Sequence, residues 1–291
     1  MLGLGSPTQP PRTAFVLAGG GSLGAVEVGM LRELLAWGEQ PSFVVGASAG
    51  AINSAYLAAQ PSLEGVARLE QIWCSMRRQE LFPFDVRSVL ALLLRRSHLV
   101  GPDGLRRLLE RHMPYTQLQD AAIPVHIVAS DMVNGEEVLL SSGPVVDAVM
   151  ASAAIPGVFP PVRIGGRMLV DGGVANNTPI STAVRLGATR IIVLPTGFAC
   201  GLKQVPAAAI GRAMHALSLL VARQLVQDAD RFATVVDLRI VPSLCPLNCS
   251  PYDYSAASQL IARAAATTRQ WLEQGGLERA GTPMQLQDHK H

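Results

Sequence analysis

Two residues in this chain have the type and setting to carry acyl-transfer chemistry, and the first is Ser48. It stands at the centre of Gly46-Ala47-Ser48-Ala49-Gly50, after a short β-favouring run from Phe43 to Val45 and before an Ala-rich helical run that reaches Ala59. Strand, sharp turn and helix in that order make a nucleophile elbow, in which Gly46 and Gly50 let the backbone turn tightly and hold a hydroxyl out above a helix N-terminus. The unpaired N–H groups of that terminus favour developing negative charge. The pentapeptide alone is weak, since roughly 0.16 matches arise by chance at this glycine and serine content. The flanking elements carry the reading.

A serine hydroxyl is a poor nucleophile without a base. None of the six histidines follows a late strand, where the histidine of a Ser-acid-His order belongs. His126 falls inside a predicted strand, His215 in mid-helix, His98 and His112 at a basic stretch, and His289 and His291 in the tail. A carboxylate is better placed. Asp171 follows a predicted strand and runs into Gly172-Gly173, a setting that holds an acidic side chain at a sheet edge with the backbone clear of substrate. Asp131, also after a strand, is the rival, and Asp-Gly is equally a favoured turn pair.

The third feature is Gly19-Gly20-Gly21-Ser22-Leu23-Gly24, between the predicted strand Thr13 to Ala18 and a helix from about Ala25 to Trp37. It matches G-x-G-x-x-G, but a dinucleotide fold then needs an acidic residue ending the second strand. That strand ends in Gly46 and the elbow, and Glu39 lies at its wrong end. The alternative use is preferred: successive backbone N–H groups at a helix N-terminus form an anion cradle, here for a tetrahedral oxyanion.

The elements that must position these groups follow an α/β alternation. Further strands are predicted at Pro124 to Ser130, Glu137 to Leu140, Arg190 to Leu194 and Val235 to Val241, with a hairpin of Val162 to Ile164 and Arg167 to Val170 around Gly165-Gly166. Helices are predicted at Pro61 to Arg77, Val145 to Ser152, from Thr178-Pro179 to near Leu186, from Pro206 to Phe232 and from Ser255 to Glu273. A chain that is 49% apolar and 16% charged suits a buried, mainly parallel sheet covered by helices on both faces. The organisation expected is a flexible Pro-rich leader at 1–12, one domain at 13–275 and a loose tail at 276–291.

Within that domain, 81–112 breaks the alternation. It combines Phe82, Phe84, a leucine cluster and Arg87, Arg95, Arg96, Arg106, Arg107 and Arg111. It reads either as a mobile lid that touches an anionic lipid surface or as an amphipathic helical hairpin packed on the core. The net charge of +2 is too small to imply nucleic acid. Cys74, Cys200, Cys245 and Cys249 are scattered and fit reduced thiols, and Cys245 and Cys249, four apart in a Pro-rich loop, have no partner pair or nearby His for a metal site. With no apolar signal-like segment and no run long enough to span a bilayer, a cytoplasmic protein is expected, with peripheral membrane contact.

Taken together and in order, the Gly19 to Gly24 block, Gly46-Ala47-Ser48-Ala49-Gly50-Ala51, the block Ala151 to Val162 (ASAAIPGVFPPV) and Asp171-Gly172-Gly173 resemble the patatin-like phospholipase family. Four blocks in order, over about Ala14 to Leu194, are far more specific than any one of them. The resemblance implies a three-layer α/β/α fold and acyl hydrolysis by a Ser-Asp dyad without histidine. By position it makes Ser48 the nucleophile, Asp171 the base and the Gly19, Gly20 and Gly21 backbone the oxyanion hole. One position departs: Leu23 stands where many members carry Arg or Lys, which removes a cation beside the loop but leaves its N–H groups.

The expected function is a serine acyl hydrolase of phospholipase A, lysophospholipase or esterase type, working through an acyl-enzyme on a lipid or other acyl ester and needing no metal or organic cofactor. Two alternatives stay open. One is a lipid-surface or partner-binding module built on 81–112 with vestigial catalysis; the other is a nucleotide-binding protein that uses Gly19 to Gly24.

Overall fold

The computed structural model describes residues 11–81, 101–197, 209–247 and 249–279. Eight strands form one sheet: β1 (Thr13–Leu17), β2 (Phe43–Ala47), β3 (Val125–Asp131), β4 (Glu137–Leu140), β5 (Val162–Ile164), β6 (Arg167–Asp171), β7 (Arg190–Leu194) and β8 (Asp237–Ile240). Their order is β5-β6-β3-β2-β1-β7-β8, with β4 paired to β3. β1, β2, β3, β7 and β8 are parallel, and β4, β5 and β6 join antiparallel. β1 and β2 are buried at every residue, which is why they read as unbroken apolar runs rather than as an alternation.

Side chains of the central strands divide between two helical layers. Phe15, Leu17, Val44, Ile192 and Leu194 join one core; Ala14, Val16, Val45, Ile191 and Val193 join the other. The first core is closed by α1 (Gly24–Ala36), α2 (Ala49–Ala59), α3 (Leu63–Ser75) and the helix Ala257–Glu273. The second is closed by the helices Ile180–Arg185 and Ala209–Phe232. The result is the three-layer α/β/α arrangement with a mainly parallel sheet.

The registers explain how distant residues meet. Ile127 of β3 pairs with Gly46 of β2 and with Leu140 of β4, so these two strands flank β3 on opposite sides. Ala129 pairs with Val138 of β4 and Asp171 of β6, so β6 lies on the side that β2 occupies lower down. β2 ends with Ala47 opposite Val128, and β6, arriving antiparallel, ends with Asp171 opposite Ala129. Two strand ends therefore meet head to head on consecutive rungs of β3.

Some boundaries differ from the pattern-based expectation. α3 begins at Leu63 because Ser62 Oγ accepts the Gly65 N–H at 3.2 Å, a side-chain N-cap. Pro179, not Thr178, occupies the N-cap position of the helix Ile180–Arg185, and no side chain caps it. A short helix, Gly173–Asn176, follows Asp171. Of the stretch 81–112, Asp103–His112 is a helix that buries Leu105 and Leu109, exposes Arg107 and Arg111, and pairs Arg106 with Asp147 at 2.8 Å. Residues 82–100 of that stretch, with Phe82, Phe84, Arg87, Arg95, Arg96 and His98, lie outside the described residues, as do most of the leader, Cys200, His289, His291 and the side chain of His215.

Candidate active site

Ser48 occupies the turn between β2 and α2 with φ 53° and ψ −117°. It is the one non-glycine with positive φ among the described residues, and such a conformation costs about 1–3 kcal/mol and persists only where its surroundings impose it. The two elbow glycines do a different job from the one their motif suggests. Neither has positive φ. A Cβ on Gly46 would run into the Gly50 carbonyl and Ser54 Oγ, and one on Gly50 into the Leu17 carbonyl. They let α2 approach β1 and β2 closely, while the strain of the turn falls on the serine itself.

Because β2 and β6 end on adjacent rungs, Ser48 Oγ donates to Asp171 Oδ2 at 2.7 Å. The other carboxylate oxygen, Oδ1, accepts the Gly173 N–H at 2.8 Å, so the side chain is fixed from both ends. Asp171 is only 7% exposed, and burial pushes its pKa up to about 6 against the opposing effect of the Ser48 and Gly173 hydrogen bonds. A carboxylate poised there can accept a proton near neutral pH.

The other candidates for the base are engaged elsewhere. Asp131 Oδ1 accepts the Val133 N–H at 2.9 Å and Oδ2 lies 4.0 Å from Arg167, the role of a turn residue. His126 sits in β3 with Nδ1 2.7 Å from Ser141 Oγ, its ring edge-on to Phe43, and burial lowers its pKa. Among the described residues, the side-chain partner of Ser48 Oγ is Asp171.

The glycine loop follows β1. Gly21 has φ 58° and opens a single helical turn, Gly21–Leu23, that runs into α1. Of the three N–H groups assigned to the oxyanion, that of Gly19 already donates to the Asn177 carbonyl at 3.0 Å. Among the described residues no acceptor meets the N–H of Gly20 or Gly21, so these two are the ones left for a ligand. Gly21 and Ser48 line the same pocket. Leu23, the position without the family's cation, is 2% exposed and packs in the core.

Several supporting residues escaped the motif reading. Ser152 Oγ accepts the Ser48 N–H at 2.8 Å and donates to the Val128 carbonyl at 2.5 Å, while the Ala154 and Ser152 carbonyls accept the N–H groups of Asp171 and Gly172. The Ala151 to Val162 block thus holds both Ser48 and Asp171, and its place between their motifs is the signal the sequence offers. Behind the glycine loop, Asn53 Nδ2 donates to the Gly24 carbonyl at 2.9 Å and to the buried Glu27 carboxyl at 2.7 Å, while Asn53 Oδ1 accepts from Trp73 Nε1 at 2.7 Å. Burial raises Glu27 well above the usual carboxylate range. In front, the Ser22 N–H donates to the Pro251 carbonyl at 2.8 Å, which brings in Tyr254 from a late loop. No periodicity marks such contacts.

The pocket beside Ser48 has a mostly apolar wall that includes Ile52, Trp73, Met76, Leu105, Phe159 and Tyr254. Tyr254 stacks on Trp73 with ring centroids 6.3 Å apart. Among the described residues no cluster of three or more metal-ligating side chains occurs, and no helix is long and apolar enough to cross a membrane.

The model of the family described as patatin-like phospholipase matches residues 15–184. An uncharacterized NTE family protein of Mycobacterium tuberculosis is 28% identical over 192 residues, covering 64% of this chain and 49% of that one. Patatin-like phospholipase domain-containing protein 7 of Rattus norvegicus is 27% identical over 186 residues, 63% of this chain but 13% of the relative. The matches thus span half or less of these relatives. Among solved structures, VipD from Legionella pneumophila aligns with a TM-score of 0.47 at 16% identity, covering 91% of this chain and 67% of that one. Human GIVD cytosolic phospholipase A2 aligns with a TM-score of 0.47 at 14% identity, covering 92% and 59%. With its family model matched across the glycine loop, the elbow and the Asp171 segment, the chain belongs to the patatin-like phospholipase family.

Proposed function

We propose that this protein is a serine acyl hydrolase that cleaves lipid acyl esters, in the manner of a phospholipase A, lysophospholipase or esterase. The observation that carries the reading is the 2.7 Å hydrogen bond from Ser48 Oγ to a buried Asp171 whose pKa is near 6, at the mouth of an apolar pocket. Membership of a phospholipase family supports a lipid hydrolase.

In this mechanism Asp171 Oδ2 takes the Ser48 proton as Oγ attacks the ester carbonyl carbon. The carbonyl oxygen becomes an oxyanion that accepts from the Gly20 and Gly21 N–H groups, each donor contributing on the order of 10²- to 10³-fold in rate. The tetrahedral intermediate collapses, the alcohol leaves with the proton held by Asp171, and Ser48 retains the acyl group. Water then gives its proton to Asp171, attacks the acyl carbon, and releases the fatty acid as the proton returns to Ser48. Nucleophile, base and oxyanion donors are all protein groups, so the chemistry asks for no metal or organic cofactor.

The apolar wall suits a hydrocarbon chain. Each buried methylene contributes about 0.8 kcal/mol, roughly fourfold in affinity. Lipid esters reside in aggregates, and the exposed Arg107 and Arg111 share a helix with the pocket residue Leu105, which supports peripheral contact with an anionic surface. The free thiols of Cys74 and Cys249 fit a reducing, cytoplasmic setting.

The test is hydrolysis of a p-nitrophenyl ester series and of a phospholipid by wild type, Ser48→Ala and Asp171→Asn. Turnover by wild type that is lost in both variants, with folding intact, upholds the proposal. Wild type that cleaves no ester, or variants that retain the activity, would refute it.

A further inference from the structure

The carbonyl of Gly19 is held by two side-chain donors that the reaction does not use. Thr196 Oγ1 donates to it at 2.8 Å and Asn177 Nδ2 at 3.2 Å. Both side chains are buried, at 3% and 7% exposure, and they come from different parts of the fold. Asn177 ends the segment that begins with Asp171; Thr196 lies two residues beyond β7, the neighbour of β1 away from β2.

The consequence lies across the peptide plane. Among the described residues only the Cys245-Pro246 bond is cis, so the Gly19-Gly20 peptide is trans and planar, with the Gly19 carbonyl and the Gly20 N–H pointing in opposite directions. Anchoring the carbonyl therefore aims the N–H. Three consecutive glycines have little conformational preference of their own, and Thr196 also packs where a Gly20 side chain would stand. Two donors on a carbonyl further polarise the amide, which makes its N–H a stronger donor in a low-dielectric site.

We propose that Thr196 and Asn177 are positioning residues of the oxyanion hole, which orient and polarise the Gly20 N–H through the Gly19 carbonyl. The inference rests on the hydrolase reading above. It also couples the two halves of the site, since one clamp residue lies six positions after the base.

The experiment compares wild type with Thr196→Val, Thr196→Ser and Asn177→Asp, using p-nitrophenyl butyrate for kcat and KM and a trifluoromethyl ketone, which forms a tetrahedral adduct with serine, as an oxyanion probe. Thr196→Val keeps the shape and removes the donor, so kcat should fall about 10-fold or more, with ketone affinity falling in parallel and KM within about 2-fold of wild type. Asn177→Asp, which replaces a donor by an acceptor, should lose at least as much. Thr196→Ser restores the hydroxyl and should return kcat to within about 3-fold. Active wild type with unchanged kcat in a folded Thr196→Val protein would overturn this inference alone, as would equal losses in the Val and Ser variants. Wild type that neither cleaves the ester nor takes up the ketone would overturn the hydrolase reading and the clamp with it.

Discussion

The two walls of the pocket are built by different means. On the polar wall, Ser48, Asp171 and the glycine loop are fixed by named hydrogen bonds to strand ends and to Ser152, Asn177 and Pro251. On the apolar wall, Met76, Leu105 and Phe159 are buried in the hydrophobic core, where contacts are non-directional. Proton transfer and oxyanion stabilisation fail when atoms are displaced by about 1 Å, whereas an acyl chain accepts any smooth surface of the right volume. The directional wall should therefore be brittle and the packed wall tolerant.

The sharpest way to break that contrast is Ser48→Ala, for which ester hydrolysis should fall by about 10⁴-fold or more. Retention of measurable turnover in steady-state assays would place the nucleophile elsewhere. Next is Ser152→Ala, which touches no substrate yet removes the acceptor of the Ser48 N–H and the link to Val128. A loss in kcat of about 10- to 100-fold is expected; an unchanged kcat would show that the elbow is held without it.

Stability should move the other way. Asp171 has a folded pKa of about 6 against about 3.9 in an unfolded chain, so the folded state binds more protons between those values and loses stability as pH rises through that window. The cost is fully present above pH 6. Asp171→Asn should thus raise stability at pH 8 by about 1–3 kcal/mol and give no such gain below about pH 4. Thermal melts at the two pH values check this. The same pKa sets the activity profile. kcat/KM should be flat above about pH 6 and fall about tenfold per unit below it as the base is protonated, and His126→Ala should leave the limb in place. On the tolerant wall, Phe159→Ala or Leu105→Phe should shift the preferred acyl length, with changes of about fourfold per methylene in KM and little change in kcat for a butyrate ester.

Legibility in the sequence followed the same division. Ser48, Asp171 and the glycine loop lie within contiguous motifs, each at the end of an apolar run, and so could be read with the sheet that carries them. Asn53 and Tyr254 could not, because their contribution depends on contacts with residues distant along the chain, among them Gly24 and Trp73, and leaves no local period; Ser152 lies inside a legible block, but its bond to the Ser48 N–H, 104 residues away, does not show there. The elbow glycines are expected for a tight turn, whereas the structure needs them for close approach of the backbone, and both demands select glycine. The motif counts Gly19 among the oxyanion donors, but its N–H donates to the Asn177 carbonyl, and backbone bonding of that kind is invisible in a motif.

The most direct measurement is the site and rate of labelling by a fluorophosphonate, mapped by peptide mass spectrometry in wild type and Asp171→Asn. A single adduct on Ser48, formed at least about 100-fold more slowly without the carboxylate, is the predicted result. An adduct on another residue, or equal labelling rates in the two proteins, would contradict the assignment of Asp171 as the base that activates Ser48.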